Sequence, residues 1–374
     1  MKHNTRANKE VLVIYSYILS PDRDAGSLRM YNLLQIFIAL SWRVTFAVSD
    51  LLSSTAQLNF LQAIGVNILE KESVDSIEAH LQQYGQKYDL VIMSALSVAL
   101  KYLSPIRKHA PDARLVFDTT DLQHVREYRR ARVTGEGGWL QIAMRSKKWE
   151  LAAVNAADCT WVVSPSEKAV LDKTCPGAKV HILSMIQDVY GSAQPFSERK
   201  GVVFIGSFPH HPNADALQYF IEKIHPLLEE QISDEIIHII GPEPPDWLQK
   251  LATDKLHITG YVPDVKPYFD HCKLSIAPLR YGAGVNGKVI LSMSHGVPVV
   301  ASSLAAEGIP LTEGEDILVA DDPVAFSRAV ADLYHNERLW NQLSKNGLKV
   351  INKYYSIEAS RICLAEILQD LGLA

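Results

Sequence analysis

The sequence predicts an α/β fold with two open parallel β-sheets, each covered by helices on both faces. Short apolar runs of strand length alternate with longer amphipathic stretches along the chain, which is typical of that class. The alternation stops at residues 187–201, which are rich in glycine, proline, serine and charge, and then starts again. A chain of 374 residues has the length of two ordinary domains.

Seven segments of the first half are predicted to be strands. The first is a continuous apolar run, as expected for a strand buried on both faces, and apolar residues at helical spacing follow its polar loop. The predicted strands are Val11–Tyr15, Val44–Val48, Val66–Leu69, Leu90–Met93, Leu115–Phe117, Asp158–Val163 and Val180–Leu183.

Six strands are predicted in the second half, with helices between them and two or three more after Pro323. They are Val202–Ile205, Ile236–Ile240, His257–Thr259, Leu274–Ala277, Val297–Ala301 and Ile317–Val319. We therefore expect two Rossmann-like domains, 1–190 and 191–355. Residues 356–374 form a C-terminal helix that could pack back on the first domain. Two such domains facing each other form a cleft, and ligands of these sheets bind at the carboxyl ends of the strands.

Composition excludes several classes of protein. An apolar fraction of 47% excludes general disorder, and 37 basic against 42 acidic residues give a net charge of −5, a poor match for nucleic acid. The four cysteines are far apart, which favours reduced thiols in the cytosol over a zinc or disulfide framework. The longest apolar stretch near the N-terminus, Leu33–Trp42, is interrupted and too short to cross a bilayer, and residues 1–10 lack a signal-peptide core. The composition leaves open whether the protein contacts a membrane surface.

The glycine-rich segment Pro278–Lys288 is the strongest functional signal. It joins a predicted strand to a helix expected from about Lys288 to His295. Its glycines let backbone N–H groups approach an anion, the helix N-terminus adds partial positive charge, and Arg280 and Lys288 add full charges. This pattern favours a nucleotide diphosphate, and the alternative is an ordinary turn with two surface cations. It matches neither a P-loop nor the GxGxxG dinucleotide fingerprint.

A second segment, Gly206–Asn213, follows the first strand of the second half. Gly206 and Ser207 can offer backbone and hydroxyl groups to a phosphate or sugar, and Asn213 suits a helix N-cap. His210 and His211 are adjacent, but no cysteine or carboxylate lies at ligand spacing. We therefore expect them to contact ligand or solvent and not a metal.

A third segment, Asp118–His124, follows a strand of the first half. Asp118, Asp121 and His124 could hold an acceptor hydroxyl or take its proton. The alternative is helix capping by this Thr- and Asp-rich turn. Arg126 and three further arginines follow, either as a solvated helix face or as an anion-binding patch.

The fourth segment, Pro21–Ser27, follows the first strand. Asp22 and Asp24 formally match a DxD metal–nucleotide motif. Its place after strand one of a two-Rossmann chain argues against that use, and Gly26 is better suited to close approach of a ligand. No metal is expected.

Taken together and in this order, these segments resemble the retaining glycosyltransferases of family 4, which have the GT-B fold. The resemblance runs from about Val11 to Ser356 and is greatest to a bacterial subgroup that makes surface polysaccharides. The segments that carry it are PDRDAGSLRM, FDTTDLQHVREYRR, VVSPSE, FIGSFPHHPNADAL, HIIGPEPP, ITGYVPDV, APLRYGAGVNGK, HGVPVVASSLAAEG and ILVADDP.

The resemblance implies roles for individual residues. Arg280 and Lys288 would stabilise the departing diphosphate, and Asp121 would act on the acceptor side, where Thr120 replaces a histidine common in the family and His124 could substitute. The implied donor contacts are Gly26, Gly206, Ser207, Tyr261, Val262, Gly284, Val285, Asn286, Gly287 and, weakly, Glu307. The implied acceptor-side residues are Asp118, His124 and Arg126. Ala283 and Leu291 stand where the wider family has two glutamates for the donor sugar and ribose.

We therefore expect a metal-independent enzyme without a cofactor. It would transfer a sugar from a nucleotide sugar, with retention, to a saccharide or lipid-linked acceptor in polysaccharide or glycolipid synthesis. It would work in the cytoplasm, and the sequence leaves open whether it is bound peripherally at the inner face of the membrane. Two alternatives remain: a sugar-nucleotide epimerase of the same architecture, and a non-catalytic nucleotide-sugar-binding protein, which the two missing glutamates favour.

Overall fold

The computed structural model describes residues 9–52, 56–191, 194–229, 231–232 and 235–374. Its strands form two separate parallel sheets, one in each half of the chain. All the predicted strands are present, with ends that shift by one or two residues. The predicted α/β fold with two Rossmann-like sheets is therefore confirmed.

The first sheet has seven strands in the order β3-β2-β1-β4-β5-β6-β7. Its central strand β1 pairs in parallel with β2 and β4, and Val11–Ile14 are fully buried because helices cover both faces of the sheet. The strands are β1 Glu10–Tyr15, β2 Arg43–Val48, β3 Asn67–Ile68, β4 Leu90–Ser94, β5 Arg114–Asp118, β6 Cys159–Val162 and β7 Val180–Ile182.

The second sheet has six strands in the order β10-β9-β8-β11-β12-β13. This is the same winding as in the first sheet, with β8 in the place of β1. The strands are β8 Val202–Ile205, β9 Ile237–Ile240, β10 Leu256–Gly260, β11 Leu274–Ala277, β12 Val299–Ala301 and β13 Leu318–Val319.

The helices lie between the strands and after β13. Several begin at a side chain that accepts a backbone N–H, as Asp24 does for α1, Ser164 for α7 and Asn286 for α12. Their bounds are α1 Ala25–Ala39, α2 Asn59–Ala63, α3 Ile77–Tyr84, α4 Leu96–His109, α5 Gln123–Thr134, α6 Gly137–Ala156, α7 Pro165–Thr174, α8 His211–Tyr219, α9 His225–Leu228, α10 Asp246–Gln249, α11 Lys266–His271, α12 Gly287–Ser294, α13 Ser303–Ala306, α14 Pro323–His335, α15 Glu337–Tyr354 and α16 Ile357–Asp370.

The last helix, α16, packs against the first sheet and not the second. Its residues Leu364, Ile367 and Leu368 share a core with β1 and α1. The Gln187 N–H donates to the Tyr355 carbonyl over 2.8 Å, so the two chain crossings between the halves lie side by side. Within the predicted linker, Ser192 and Ala193 lie outside the described residues.

The strand order reverses direction at the same place in both sheets, between β1 and β4 and between β8 and β11. In open α/β sheets, ligands bind outside the carboxyl ends of the strands at such a point. The loops after β1, β8 and β11 are three of the four segments that the sequence marked as functional. The fold therefore directs all three towards one region.

Candidate functional site

A cleft of about 1070 Å³ lies between the two sheets. It is bounded by the loops after β1, β8 and β11, by α5, and by the start of α12. Most of the sequence-predicted site residues line it. They are Gly26, Asp121, Arg126, Gly206, Ser207, Tyr261, Val262, Gly284, Val285, Asn286, Gly287, Lys288 and Glu307.

The corner around Lys288 combines a buried cation with a helix N-terminus. Lys288 is 9% exposed, and its Nζ donates to Asn213 Oδ1 over 2.7 Å. Burial lowers the pKa of Lys288 to about 7. Asn213 is itself fixed because its Nδ2 donates to the Ser207 carbonyl over 2.7 Å. The corner therefore holds a cation that an anionic ligand would stabilise in its protonated form.

Glycine is required on both sides of this corner. A Cβ on Gly206 would come within 2.8 Å of the Asn213 side chain. A Cβ on Gly287 would come within 2.4 Å of the Ala25 Cβ, where the N-termini of α1 and α12 meet across the cleft. Gly206 therefore lets its loop approach α8 closely, and Gly287 lets the two domains approach each other closely.

Arg280 does not face the cleft, and this corrects its assignment to the phosphate site. Its Nε donates to Asp215 Oδ2 over 2.9 Å, and its Nη2 also binds Asp215. The side chain is 40% exposed and lies over the ring of Tyr219. Arg280 is not among the residues that line the cleft, and its partners Asp215 and Tyr219 belong to α8.

The side chains of Asp118 and His124 also make their contacts inside the fold and do not line the cleft. Asp118 is fully buried at the end of β5, where Arg29 binds both of its oxygens at 2.9 Å and the Ser94 hydroxyl donates to it. His124 is buried with its Nδ1 against Glu150. Their proposed acceptor contacts are therefore corrected, because these groups already have partners inside the fold.

The acidic residues after β1 also have partners. Asp24 caps α1, since it accepts from the Ser27 N–H and hydroxyl, both over 2.7 Å. Asp22 accepts from the Tyr261 hydroxyl across the cleft. Among the described residues, no group of three or more His, Cys, Asp or Glu is arranged to hold a metal ion.

A polar stripe on α5 forms one wall of the cleft; sequence reasoning marked its two arginines as a possible anion-binding patch but missed Gln123 and Glu127. Its members Gln123, Arg126, Glu127 and Arg130 recur at helical spacing, which is the signal that could have revealed it. Gln123 Nε2 donates to Glu127 Oε1 over 2.8 Å, and Asp121 pairs with Arg126 and raises the pKa of its guanidinium.

Two atoms of this stripe are buried without a hydrogen-bond partner in the part of the chain that is described. They are Glu127 Oε2, an acceptor, and Arg130 Nε, a donor. The Arg130 guanidinium is held 3.9 Å above the Trp139 ring. Because buried polar groups are nearly always paired, an acceptor and a donor left open on a cleft wall indicate a place for a ligand.

The two domains touch at both rims of the cleft. Arg129 of α5 binds both oxygens of Glu307, at 2.6 and 2.9 Å, and donates to the Gly282 carbonyl over 3.0 Å. At the other rim the Tyr261 hydroxyl binds Asp22, and the Arg23 guanidinium lies 4.7 Å from the Tyr261 ring. Glu307 therefore lines the cleft with both oxygens engaged, as part of a clasp between the domains.

Leu291 and His295 lie one turn apart near the end of α12, and both line the cleft. Leu291 is half-buried and packs against the small apolar core that contains Phe269 and Val297. His295 is 3% exposed and lies between the rings of Tyr190 and Phe269, with centroids 4.4 and 4.7 Å away.

The imidazole of His295 is a site residue that sequence reasoning missed. Its Nδ1 has no hydrogen-bond partner among the described residues. Burial lowers its pKa to about 4, so the ring is neutral at pH 7. The available signal was its position four residues after Leu291, at the C-terminal cap of α12.

Comparison with known proteins agrees with this architecture. Residues 199–336, which include β8–β13, match the profile of the family described as Glycosyl transferases group 1. A Klebsiella pneumoniae protein described as an uncharacterized 44.6 kDa protein in the cps region is 23% identical over 163 residues, which cover 41% of this chain and 42% of that protein.

Three solved structures superpose on nearly the whole chain. Sucrose-phosphate synthase from Thermosynechococcus elongatus has a TM-score of 0.73 and 15% identity, and covers 97% of this chain and 99% of its own. TarM has a TM-score of 0.76, 11% identity and coverages of 96% and 98%. The fold is GT-B. Anabaena HepE in complex with UDP and glucose shares this GT-B fold at a TM-score of 0.72, 12% identity and coverages of 97% and 100%.

Proposed function

We propose that the protein is a glycosyltransferase that moves a sugar from a nucleotide-sugar donor to an acceptor hydroxyl. The observation that carries the proposal is the corner around Lys288, where a buried cation and the N-terminus of α12 face one cleft. A diphosphate is the part of such a donor that these groups would bind. The match to group 1 glycosyl transferases and the UDP and glucose bound to HepE support this choice.

The proposed reaction proceeds with retention and needs no nucleophilic side chain. The bond between the anomeric carbon and the diphosphate oxygen breaks, and the acceptor oxygen forms a new bond on the same face. The acceptor proton passes to the departing diphosphate. Lys288 and the first N–H groups of α12 would stabilise the negative charge of the leaving group.

On the donor side, we assign to His295 part of the role that a carboxylate at position 291 would have. His295 lines the cleft between two aromatic rings, and its buried Nδ1 has no partner among the described residues, so we propose that it binds a hydroxyl of the nucleotide. With His295 in this role, the protein would keep part of a ribose site although Leu291 is apolar.

On the acceptor side, Glu127 and Arg130 favour a saccharide. One open acceptor and one open donor, both on the α5 wall, match a pair of sugar hydroxyls, each able to donate and accept. Asp121, paired with Arg126 beside them, completes the polar surface that an acceptor would meet. The relative in the cps region fits a role in the synthesis of a polysaccharide.

The first experiment is a thermal-shift screen of the purified protein with UDP, GDP, ADP, CMP and dTDP. A ligand that binds only the folded state raises the melting temperature, so the preferred base will give the largest shift. If none of the five raises it, the assignment of the cleft to a nucleotide is wrong.

The second experiment incubates the protein with a sugar derivative of the preferred nucleotide, with and without saccharide acceptors, and analyses the products. A new glycoside with an unchanged anomeric configuration supports the proposal. A rearranged nucleotide sugar without acceptor would identify an epimerase, and binding without turnover a non-catalytic protein. We propose that transfer persists in excess EDTA. Loss of transfer in EDTA, restored by manganese, would instead assign Asp22 and Asp24 to a metal.

A further inference from the structure

Gln187 is a buried cleft residue whose side-chain amide the fold leaves without a partner for its N–H. It is 4% exposed, it lines the cleft, and its Nε2 has no hydrogen-bond partner among the described residues. Three other cleft residues, Glu127, Arg130 and His295, have an atom of this kind, and each has a role proposed above. Because a buried donor without a partner costs free energy, the amide of Gln187 also indicates a place for a ligand.

The backbone around Gln187 is fixed without help from its side chain. The Gln187 N–H donates to the Tyr355 carbonyl over 2.8 Å. The carbonyl of the preceding residue, Ile186, accepts from Asn32 Nδ2 of α1 over 2.8 Å. The end of the Gln187 side chain can therefore turn towards a ligand, because the last torsion of a glutamine side chain is soft.

The segment that contains Gln187 runs beside α12, the helix that carries the proposed diphosphate site. A Cβ on Gly287, at the start of the helix, would lie 3.8 Å from the Met185 Cε. The Tyr190 N–H donates to the carbonyl of Ser294, at the end of the helix, over 2.9 Å. Gln187 lies between these two contacts along the chain, and Met185, Gln187 and Tyr190 all line the cleft. Its amide is therefore close to the part of the cleft that a nucleotide would fill.

We propose that Gln187 Nε2 donates a hydrogen bond to a phosphate oxygen of the bound nucleoside diphosphate. The inference rests on the proposed function, which places a ligand of that class in the cleft. The amide nitrogen is a donor only, and hydrogen bonds to anionic oxygens are stronger than those to neutral ones. Because Gln187 lies where the chain crosses from the first domain to the second, the connection between the domains would itself hold the nucleotide.

The test compares Gln187→Met with the wild type, using whichever of UDP, GDP, ADP and dTDP gives the largest thermal shift. Methionine has the length of glutamine but no donor, so calorimetry should show an affinity lower by about tenfold or more. Without ligand, the melting temperature should stay the same or rise, because the variant removes a buried donor that has no partner. A purely structural glutamine would give the opposite result, a lower melting temperature with unchanged affinity.

Two further variants complete the experiment. Gln187→Glu should weaken binding more than Gln187→Met does, because a carboxylate repels a phosphate. If Gln187→Glu binds as tightly as the wild type, the partner is a nucleotide hydroxyl and the assignment to a phosphate is wrong. The control Gln83→Met makes the same change at an exposed residue of α3 that does not line the cleft, and it should alter neither quantity.

The outcomes separate this inference from the proposed function. Unchanged affinity in Gln187→Met, or a lower melting temperature without ligand, would overturn the role of Gln187 while the wild type still binds its nucleotide. Failure of the wild type to bind any of the four diphosphates would overturn the proposed function as well.

Discussion

Lys288 and Arg280 show how much the chemistry depends on where a single side chain points. Both stand at the ends of the same glycine-rich loop, eight positions apart in the sequence. Lys288 is buried in the cleft beside Asn213, whereas Arg280 is on the outer surface in an ion pair with Asp215. The two cations therefore form a matched pair for experiment.

We predict that Lys288→Ala lowers the turnover number by about 10²–10³-fold, because it removes a preorganised charge at the leaving group. Arg280→Ala should stay within a few-fold of the wild type. Steady-state kinetics measure both, and circular dichroism checks that each variant is folded. Equal losses in the two variants would contradict the placement of the phosphate site.

The pH dependence of nucleotide binding is a second prediction. The pKa of Lys288 is about 7 in the ligand-free protein, and a bound diphosphate should raise it. Binding above pH 7 then takes up a proton, so affinity falls with rising pH, by up to about tenfold per unit between pH 7 and 9. Calorimetry at several pH values measures this, and Lys288→Met should remove the dependence.

His295 gives the third prediction at this scale. His295→Phe keeps the stacking between Tyr190 and Phe269 but removes Nδ1, so donor affinity should fall about tenfold or more while the fold survives. Leu291→Glu should give no comparable gain, because Leu291 packs against the small apolar core that contains Phe269 and Val297. Calorimetric titration decides: a tenfold gain in Leu291→Glu would show that the ribose site lacks only its carboxylate.

Among the elements, the contact between α1 and α12 defines how closely the domains approach. Both helices begin at the cleft, and their first residues, Ala25 and Gly287, come together there. No Cβ fits at Gly287 because the Ala25 Cβ occupies that place. The glycine is thus explained by a contact between helices and not only by its own loop.

We predict that Gly287→Ala lowers turnover and donor affinity by holding the two helix N-termini apart. The double variant Ala25→Gly/Gly287→Ala removes the obstructing methyl group and should recover most of the activity. Kinetics and nucleotide titration on the three proteins measure this. If the double variant shows no recovery, the loss arises within the loop itself.

At the scale of the whole molecule, the closed cleft is held by contacts at its two rims. The bidentate pair of Arg129 and Glu307 is about 30% exposed and joins α5 to the loop after α13. The pair of Asp22 and Tyr261 joins the opposite rim. In the proposed transfer reaction, closure would exclude water from the donor and so limit its hydrolysis.

We predict that Arg129→Gln opens the ligand-free protein and raises its radius of gyration in small-angle X-ray scattering. Arg361→Gln, in an exposed pair within α16, is the control and should leave the radius unchanged. Glu307→Gln should behave like Arg129→Gln. If Glu307→Gln instead changes only the preference among donor sugars, Glu307 acts as a sugar contact and not as a clasp.

The sequence by itself determined the sheets and the loops that make the cleft. Apolar runs of strand length fix the strands, and glycines before a helix mark the proposed phosphate loop, because both signals are local. Gly206, Gly287 and Lys288, which line the cleft, could be named in this way, since their position follows from the strand before them and the helix after them.

Only the tertiary structure decided which polar side chains face the cleft. Asp118 is neutralised by Arg29, 89 positions away, and Arg280 by Asp215, 65 positions away. Arg129 meets Glu307 across 178 positions, a clasp that no local pattern indicates. His295 became a site residue only when Tyr190 and Phe269 were seen to enclose it. A charged side chain takes the partner that folding brings near it, so its function depends on the packing of distant segments, which local spacing does not encode.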